Sequence, residues 1–522
     1  MPPTRFLAAA AALSLAAGIA AAAPMGFDDA RHLLVRTGFG PSDAEVRTFA
    51  SLSREQAVAQ LLRDTRTSAV TAPPGWTADE SPLRYPRPET ATPEERKAFQ
   101  QQQVRQGLEL RAWWVQEMLA TPSPLTERMT LFWHNHFVSS QQKVRFARLM
   151  YAQNAMLRAN ALGSFATLLH AASKEPAMLL YLDVAQSRKG QPNENFAREV
   201  MELFTLGEGQ YTEADIKEAA RAFTGWSLDR ETGQYLFRPG IHDYGVKTVL
   251  GRSGRFDGDN VLDVILAKPE TAEFITAKLW REFVSADPDP REIRRIAQIL
   301  RGQEYDMKAA LRALFLSEAF WARDNRGTLV KSPVELVVGT LRQLEIAPGS
   351  AMPFAVAAAG MGQNLFSPPN VKGWPGGETW INSNTLLARK QFLDRIVRTD
   401  DRELPMAMMA IADVPGARIA GEPMAKEMRI PKAAVAPQGA QDEDKVRAQR
   451  FAQQMDRSLR NVPFDASAWV ARRPGATPVA KAQEAQALLL PLAPVTADPP
   501  RGDVDAVALV HATLLDPAYQ LK

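Results

Sequence analysis

The chain reads as a mainly α protein, a large multi-helix bundle-like body with long loops and one short β-hairpin. Three observations predict this. Apolar residues recur at helical spacing through most of the sequence, as Phe196, Val200, Leu203 and Phe204 do. Capping signatures open one segment after another: Ser42 with Glu45, Ser53 with Gln56, and Ser332 with Pro333 and Glu335. Alternation is weak and confined to residues 234–248, which read as a short hairpin or an irregular loop.

The composition is globular, 45% apolar and 23% charged over 522 residues. A net charge of +3 argues against the concentrated basic face of a nucleic-acid binder. Arg5 precedes an alanine-rich apolar run, and AAAPMG then gives small residues at cleavage spacing. This predicts a signal peptide over residues 1–23, cut near Ala22 or Ala23, and a periplasmic or extracellular protein. The alternative is a retained anchor, for which the run is short. A single preceding arginine argues against twin-arginine export. Cysteine is absent, which excludes disulfides, thiolate metal sites, a cysteine nucleophile and a lipoprotein anchor. No later stretch is apolar enough to cross a bilayer.

Residues 24–400 form the predicted helical domain. Phe27 to Leu62 gives two or three short helices, with His32 and Leu33 on the first. A proline-rich loop occupies 71–93. A long helix then runs from about Glu94 to Ala120, with Leu110, Trp113, Trp114, Val115 and Met118 apolar. Pro124 opens the helix LTERMTLFWHNHF. Its two histidines, His134 and His136, lie two residues apart, about 200° around a helix, so they do not chelate one ion unless the helix unwinds. Helices continue from Tyr151 to Asp183. Asp257, Asp259 and Asn260 resemble part of a calcium loop but read as turn and capping residues. Helices start again near Asn260, Glu270, Pro290, Asp306 and Ser332. The loop 366–389 carries Trp374 and Trp380, either stacked on a ligand or pinned in the core. Residues 401–522 are proline- and alanine-rich, with mobile connectors near 431–444 and 474–500 and a last helix, Val504 to Leu515. His511 on that helix shows no partner in the sequence.

The candidate centre is Asn193 to Trp226, read as two helices joined by a glycine-bearing turn. Asn193 caps the first, and Gly207 and Gly209 end it. Thr212 and Asp215 cap the second. Asn195, Glu199 and Glu202 form a polar stripe with Arg198 beside them, and Glu218 and Arg221 lie one turn apart. Charges beside an apolar stripe mark either an ion-pair network or a site. Asp183, ending an apolar run, and His242, on a loop, are further site candidates.

Several motifs resemble one bacterial family, catalogued as domain of unknown function 1800. They are HLLVRTGFGP (32–41), PLTERMTLFWHNHF (124–137), PAMLLYLD (176–183), PNENFAREVMELFTLGEGQYTEADIKEAARAFTGW (192–226), HDYGVKTVLG (242–251), KSPVELVVG (331–339) and SPPNVKGWPGGETWINSNTLLAR (367–389). The resemblance covers roughly residues 27–400, with the tail as a shorter helical piece. It implies an exported, largely helical protein. It also implies frequent proximity to genes of another exported family similar to sulfatases, which makes a sulfatase-like exported protein the candidate partner. It implies no reaction, catalytic residue or cofactor.

Two functions follow as expectations. The first is a non-catalytic binding or assembly protein acting with an exported partner. Arg198, Arg221, Asn195, Trp374 and Trp380 would then bind. The second is an enzyme, most concretely a metal-assisted hydrolase. Glu199, Glu202 and Asp183 would supply acid or base, and His134, His136 and His242 would hold a divalent metal. Convergence of Glu199, Glu202 and a histidine on one pocket would mark the enzyme; occupation of the carboxylates by arginines would mark a network.

Overall fold

A computed structural model describes residues 23–87, 89–397, 450, 453–455, 457–459 and 462–522. The predicted signal peptide, 1–23, lies outside the described residues but for its last position, and the predicted connector at 431–444 lies wholly outside them.

The chain opens with α1 (Gly26–Thr37), α2 (Asp43–Ala50) and α3 (Arg54–Arg63), the last two starting at capping boxes on Ser42 and Ser53. The long α4 (Pro93–Ala120) starts at a third box, Thr92 with Glu95. Next come α5 (Pro124–His136), α6 (Gln141–Val144), α7 (Ala147–Asn160), α8 (Phe165–Ser173) and α9 (Pro176–Tyr181). In the central stretch, α10 (Glu194–Glu199) runs into a π-helical turn, Val200–Thr205, before α11 (Glu213–Ala222). Two antiparallel hairpins follow instead of one. β1 (Trp226–Leu228) pairs with β2 (Tyr235–Phe237), and β3 (Lys247–Val249) with β4 (Arg252–Gly254). Helices resume as α12 (Gly258–Leu266), α13 (Pro269–Phe283), α14 (Pro290–Gly302), α15 (Met307–Phe315) and α16 (Glu318–Trp321). They continue as α17 (Pro333–Gln343), α18 (Met352–Gly360) and α19 (Ser383–Val397). The described tail adds α20 (Ala466–Ala471), α21 (Pro478–Leu489) and α22 (Ala506–Leu515). Thus 478–489, inside a predicted connector, is helical. Thr477 caps it and Pro478 takes its first position, so the prolines there delimit a helix.

The apolar side chains form two clusters, one on either side of α5. Leu125, Met129 and Trp133 of α5 join the first, with α8 to α15. Leu131 joins the second, with α4, α17 to α19 and the tail helices, including Trp469, Leu488 and Tyr519. Helix α5 is therefore buried nearly all round. Thr126, Glu127, Arg128, Thr130, His134 and His136 are each 3% exposed or less. Each buried polar group on it must find a partner inside the protein. The structure is thus organised around α5, with the 193–226 stretch packed on one flank.

The tail is tied in by side chains. His511 has a partner after all, Asp394 of α19, through its Nε2. Val330 forms a β-bridge with Leu521, and the Lys331 ammonium sits 3.9 Å from the centre of the Tyr519 ring.

Glu175 caps α9, its Oε2 accepting from the backbone N–H groups of Ala177 and Met178. Burial nonetheless raises its carboxyl to about 8. The folded chain then holds a proton that the unfolded chain releases near 4.5, so stability falls as pH rises between those values. Glu175→Gln is expected to flatten that fall, measured by urea unfolding at about pH 5 and pH 8. An unchanged slope would mean that Glu175 is ionised throughout.

Candidate functional site

Asn193 starts α10 as expected, its Oδ1 accepting from the Asn195 N–H while its Nδ2 donates to the Leu182 carbonyl. The helix then widens. The N–H of Leu206 bonds the Met201 carbonyl at 2.8 Å, five residues back. A π turn carries more residues per turn than an α-helix and shifts the faces downstream. Met201 is therefore fully buried and Leu203 is only half-buried, the reverse of an α-helical stripe. Glu199 and Glu202 keep to the outer face.

Widening leaves carbonyls without their usual partners. Lys278 of α13 donates to the Leu203 carbonyl at 3.1 Å, and His136 Nε2 meets the Phe204 carbonyl at 3.0 Å. Lys278 also lies 3.0 Å from His136 Nδ1. A charged ammonium only donates, so Nδ1 accepts and Nε2 carries the hydrogen. Burial, with Lys278 adjoining, holds His136 neutral and well below its ordinary range. Burial also lowers Lys278, to about 8. His136 thus secures the π turn from beneath.

The other histidines are separate. His134 bonds the Asn154 amide at 3.1 Å and packs against Trp114 and Phe366. Burial, then Arg158, lowers it to about 3. His242 is 4% exposed, with Nδ1 2.7 Å from the Thr224 carbonyl. Each is engaged by backbone or amide groups. Among the described residues no three His, Cys, Asp or Glu side chains are grouped to hold a metal ion.

The arginines are also committed. Arg198 forks onto Glu213 at 2.7 and 2.8 Å. Arg221 bonds Glu218 at 2.9 Å and Asp243 at 2.8 Å, and holds the Asp243 carboxyl at about 2. Neither arginine bonds Glu199 or Glu202. Glu202 accepts from the Tyr211 hydroxyl at 2.9 Å. Glu199 is half-buried; burial, then Glu202, raises its carboxyl, with Lys372 and Arg198 opposing. Asp183 precedes the short 3-10 turn Val184–Gln186 without capping it through its side chain. It sits at φ 57°, pairs with Lys143 at 2.7 Å, and lines a cavity of about 260 Å³ to which neither glutamate contributes. Asn195 is exposed.

Trp374 and Trp380 are buried, 3% and 6% exposed, so neither presents a stacking surface. Asn135 of α5 clasps the loop. Its Oδ1 accepts from the Trp374 N–H at 2.6 Å and its Nδ2 donates to the Trp374 carbonyl at 3.2 Å. Only glycine fits the preceding position, since a Cβ on Gly373 would lie 2.2 Å from that Oδ1.

The sequence reading missed the charges sealed on α5. Glu127 accepts from Arg158 at 2.5 and 2.8 Å and from the Trp114 indole at 2.8 Å. Arg128 pairs with Glu282 at 2.6 Å and with Glu335, which also takes Lys522. The available signal was a Glu–Arg pair inside an otherwise apolar helical run.

No curated protein and no solved structure matches the chain. One family model does, over residues 32–521. That match spans nearly the whole sequence, with the motif-bearing body and the tail helices inside it, and the chain belongs to this family, described as "Protein of unknown function (DUF1800)".

Proposed function

We propose that the protein is an exported, non-catalytic binding or assembly protein that engages an exported partner through the outer face of the π turn. One observation carries this reading. Arg198, Arg221, His134, His136 and His242 are each bonded within the fold, while Glu199 and Glu202 remain half-exposed on a turn braced from below. Such a face offers paired carboxylates to a cationic surface. Export rests on the leader over residues 1–23. The resemblance makes a sulfatase-like exported protein the first partner to try. Binding of that partner, measured by calorimetry, is expected to weaken about tenfold or more in Glu199→Lys/Glu202→Lys. The fold of the variant is checked by circular dichroism, since Glu199 is half-buried and Glu202 holds the Tyr211 hydroxyl. Undiminished binding would remove this face from the interface.

The raised carboxyl of Glu199 beside Glu202 favours a second reading, acid–base chemistry in a hydrolase. Elemental analysis of the mature protein and of Glu199→Ala/Glu202→Ala separates the two. A stoichiometric metal lost in the variant would favour the metal-assisted enzyme.

A further inference from the structure

The cavity beside Asp183 lies between α9, the Val184–Gln186 turn and the β1–β2 hairpin, and holds about 260 Å³. That is room for a molecule smaller than a drug-sized ligand. Part of its lining is apolar: Leu179 of α9 is fully buried and Leu228 of β1 is 4% exposed. Arg230, which follows β1, and Arg238, which follows β2, line it too. Among the described residues neither guanidinium has a hydrogen-bond or ion-pair partner.

The charges of the lining do not balance. Asp183 brings its one carboxylate, and Lys143 already neutralises that at 2.7 Å. Two positive charges are left over. Ser227, in the middle of β1 and opposite Leu236 of β2, is 3% exposed. Its hydroxyl bonds no group among the described residues, yet it is not sealed in. A hydroxyl so far buried and still without a partner is rare in folded proteins. Here it borders a cavity that a ligand oxygen can enter.

The parts specify a ligand chemistry. Guanidinium forks match the paired oxygens of a carboxylate. A serine hydroxyl both donates and accepts, so it exchanges hydrogen bonds with another hydroxyl. Leucine side chains take an alkyl chain in preference to water. We infer that this cavity binds a small aliphatic hydroxy acid, its carboxylate drawn to Arg230 and Arg238, its hydroxyl bonded to Ser227 and its alkyl chain lying against Leu179 and Leu228.

The test is calorimetry on the mature full chain at low salt. The probes are hydroxyisocaproate, isocaproate, neutral isoamyl alcohol and inorganic phosphate. Hydroxyisocaproate is expected to bind saturably with a dissociation constant below about 1 mM. Isocaproate, which lacks the hydroxyl, should bind several-fold more weakly, and Ser227→Ala should erase that difference. Arg230→Gln/Arg238→Gln should weaken both acids about tenfold or more. Both arginines are exposed, so this variant should keep the parent's circular dichroism and ligand-free melting temperature. Failure of either acid to bind below about 1 mM would overturn the inference. So would equal binding of isoamyl alcohol or phosphate, no difference between the two acids in the parent, or an arginine variant that binds like the parent.

Discussion

Replacing Glu335 with alanine is expected to cost about 3–5 kcal/mol of stability, the range for breaking a buried ion pair by removing one partner. Its Oε1 takes Lys522 at 2.5 Å and faces Arg128, while its Oε2 accepts from the Ser332 N–H at 2.8 Å and caps α17. Arg128 and Lys522 are 1% and 5% exposed, so losing the carboxylate leaves two buried cations with Glu282 alone to offset them. Glu335→Gln preserves the cap and removes only the charge. A glutamine variant as stable as the parent in urea would show that the cap alone matters. The same centre predicts an acid limb. Burial alone would raise the Glu335 carboxyl, but Arg128 and Lys522 more than reverse that and hold it at about 2. Its contribution is complete above about 4.5, the unfolded value, and is lost as pH falls from there through about 2. Glu335→Gln should remove that part of the acid transition.

Arg158→Met is expected to be as damaging, again about 3–5 kcal/mol. Glu127 is 1% exposed and would keep only the Trp114 indole as a donor. Adding Glu127→Leu should recover part of the loss, because it removes the unpaired buried charge, while the Trp114 indole N–H is left without its acceptor. Recovery distinguishes a desolvated charge from lost packing, which the second substitution would deepen. His134 gives an independent signal. Arg158 helps to keep it near 3, so its imidazole should titrate closer to the ordinary range in Arg158→Met, read by NMR. An unmoved titration would mean that burial alone sets it.

The fold was legible where one local rule decides the outcome. Capping boxes placed α2, α3, α11 and α17, and apolar spacing placed Phe196, Val200 and Phe204 in the core. It was illegible where distant groups decide. Nothing near Val200 announces a π turn, because the groups that satisfy its carbonyls, His136 and Lys278, lie far away in sequence. The same holds for α5, where the partners of Glu127 and Arg128 lie on α7, α13 and α17. Trp374 could be exposed or pinned on sequence alone; Asn135, in another motif, decides the matter.

The link between Glu335 and Lys522 spans 187 residues of chain. It sets an order on how the molecule is made. During synthesis Glu127 meets Arg158 after 31 residues, so one half of the α5 charge can be neutralised early. Glu335 gains its lysine only when the segment around Tyr519 has emerged. Until then its Arg128 pair stands beside a gap where that segment will lie. The second apolar cluster therefore closes late, after a long loop has been drawn in, which slows folding relative to the locally wired half. A chain stopped before residue 517 should leave the ribosome with its first cluster assembled and its second still open, a natural substrate for chaperones and proteases.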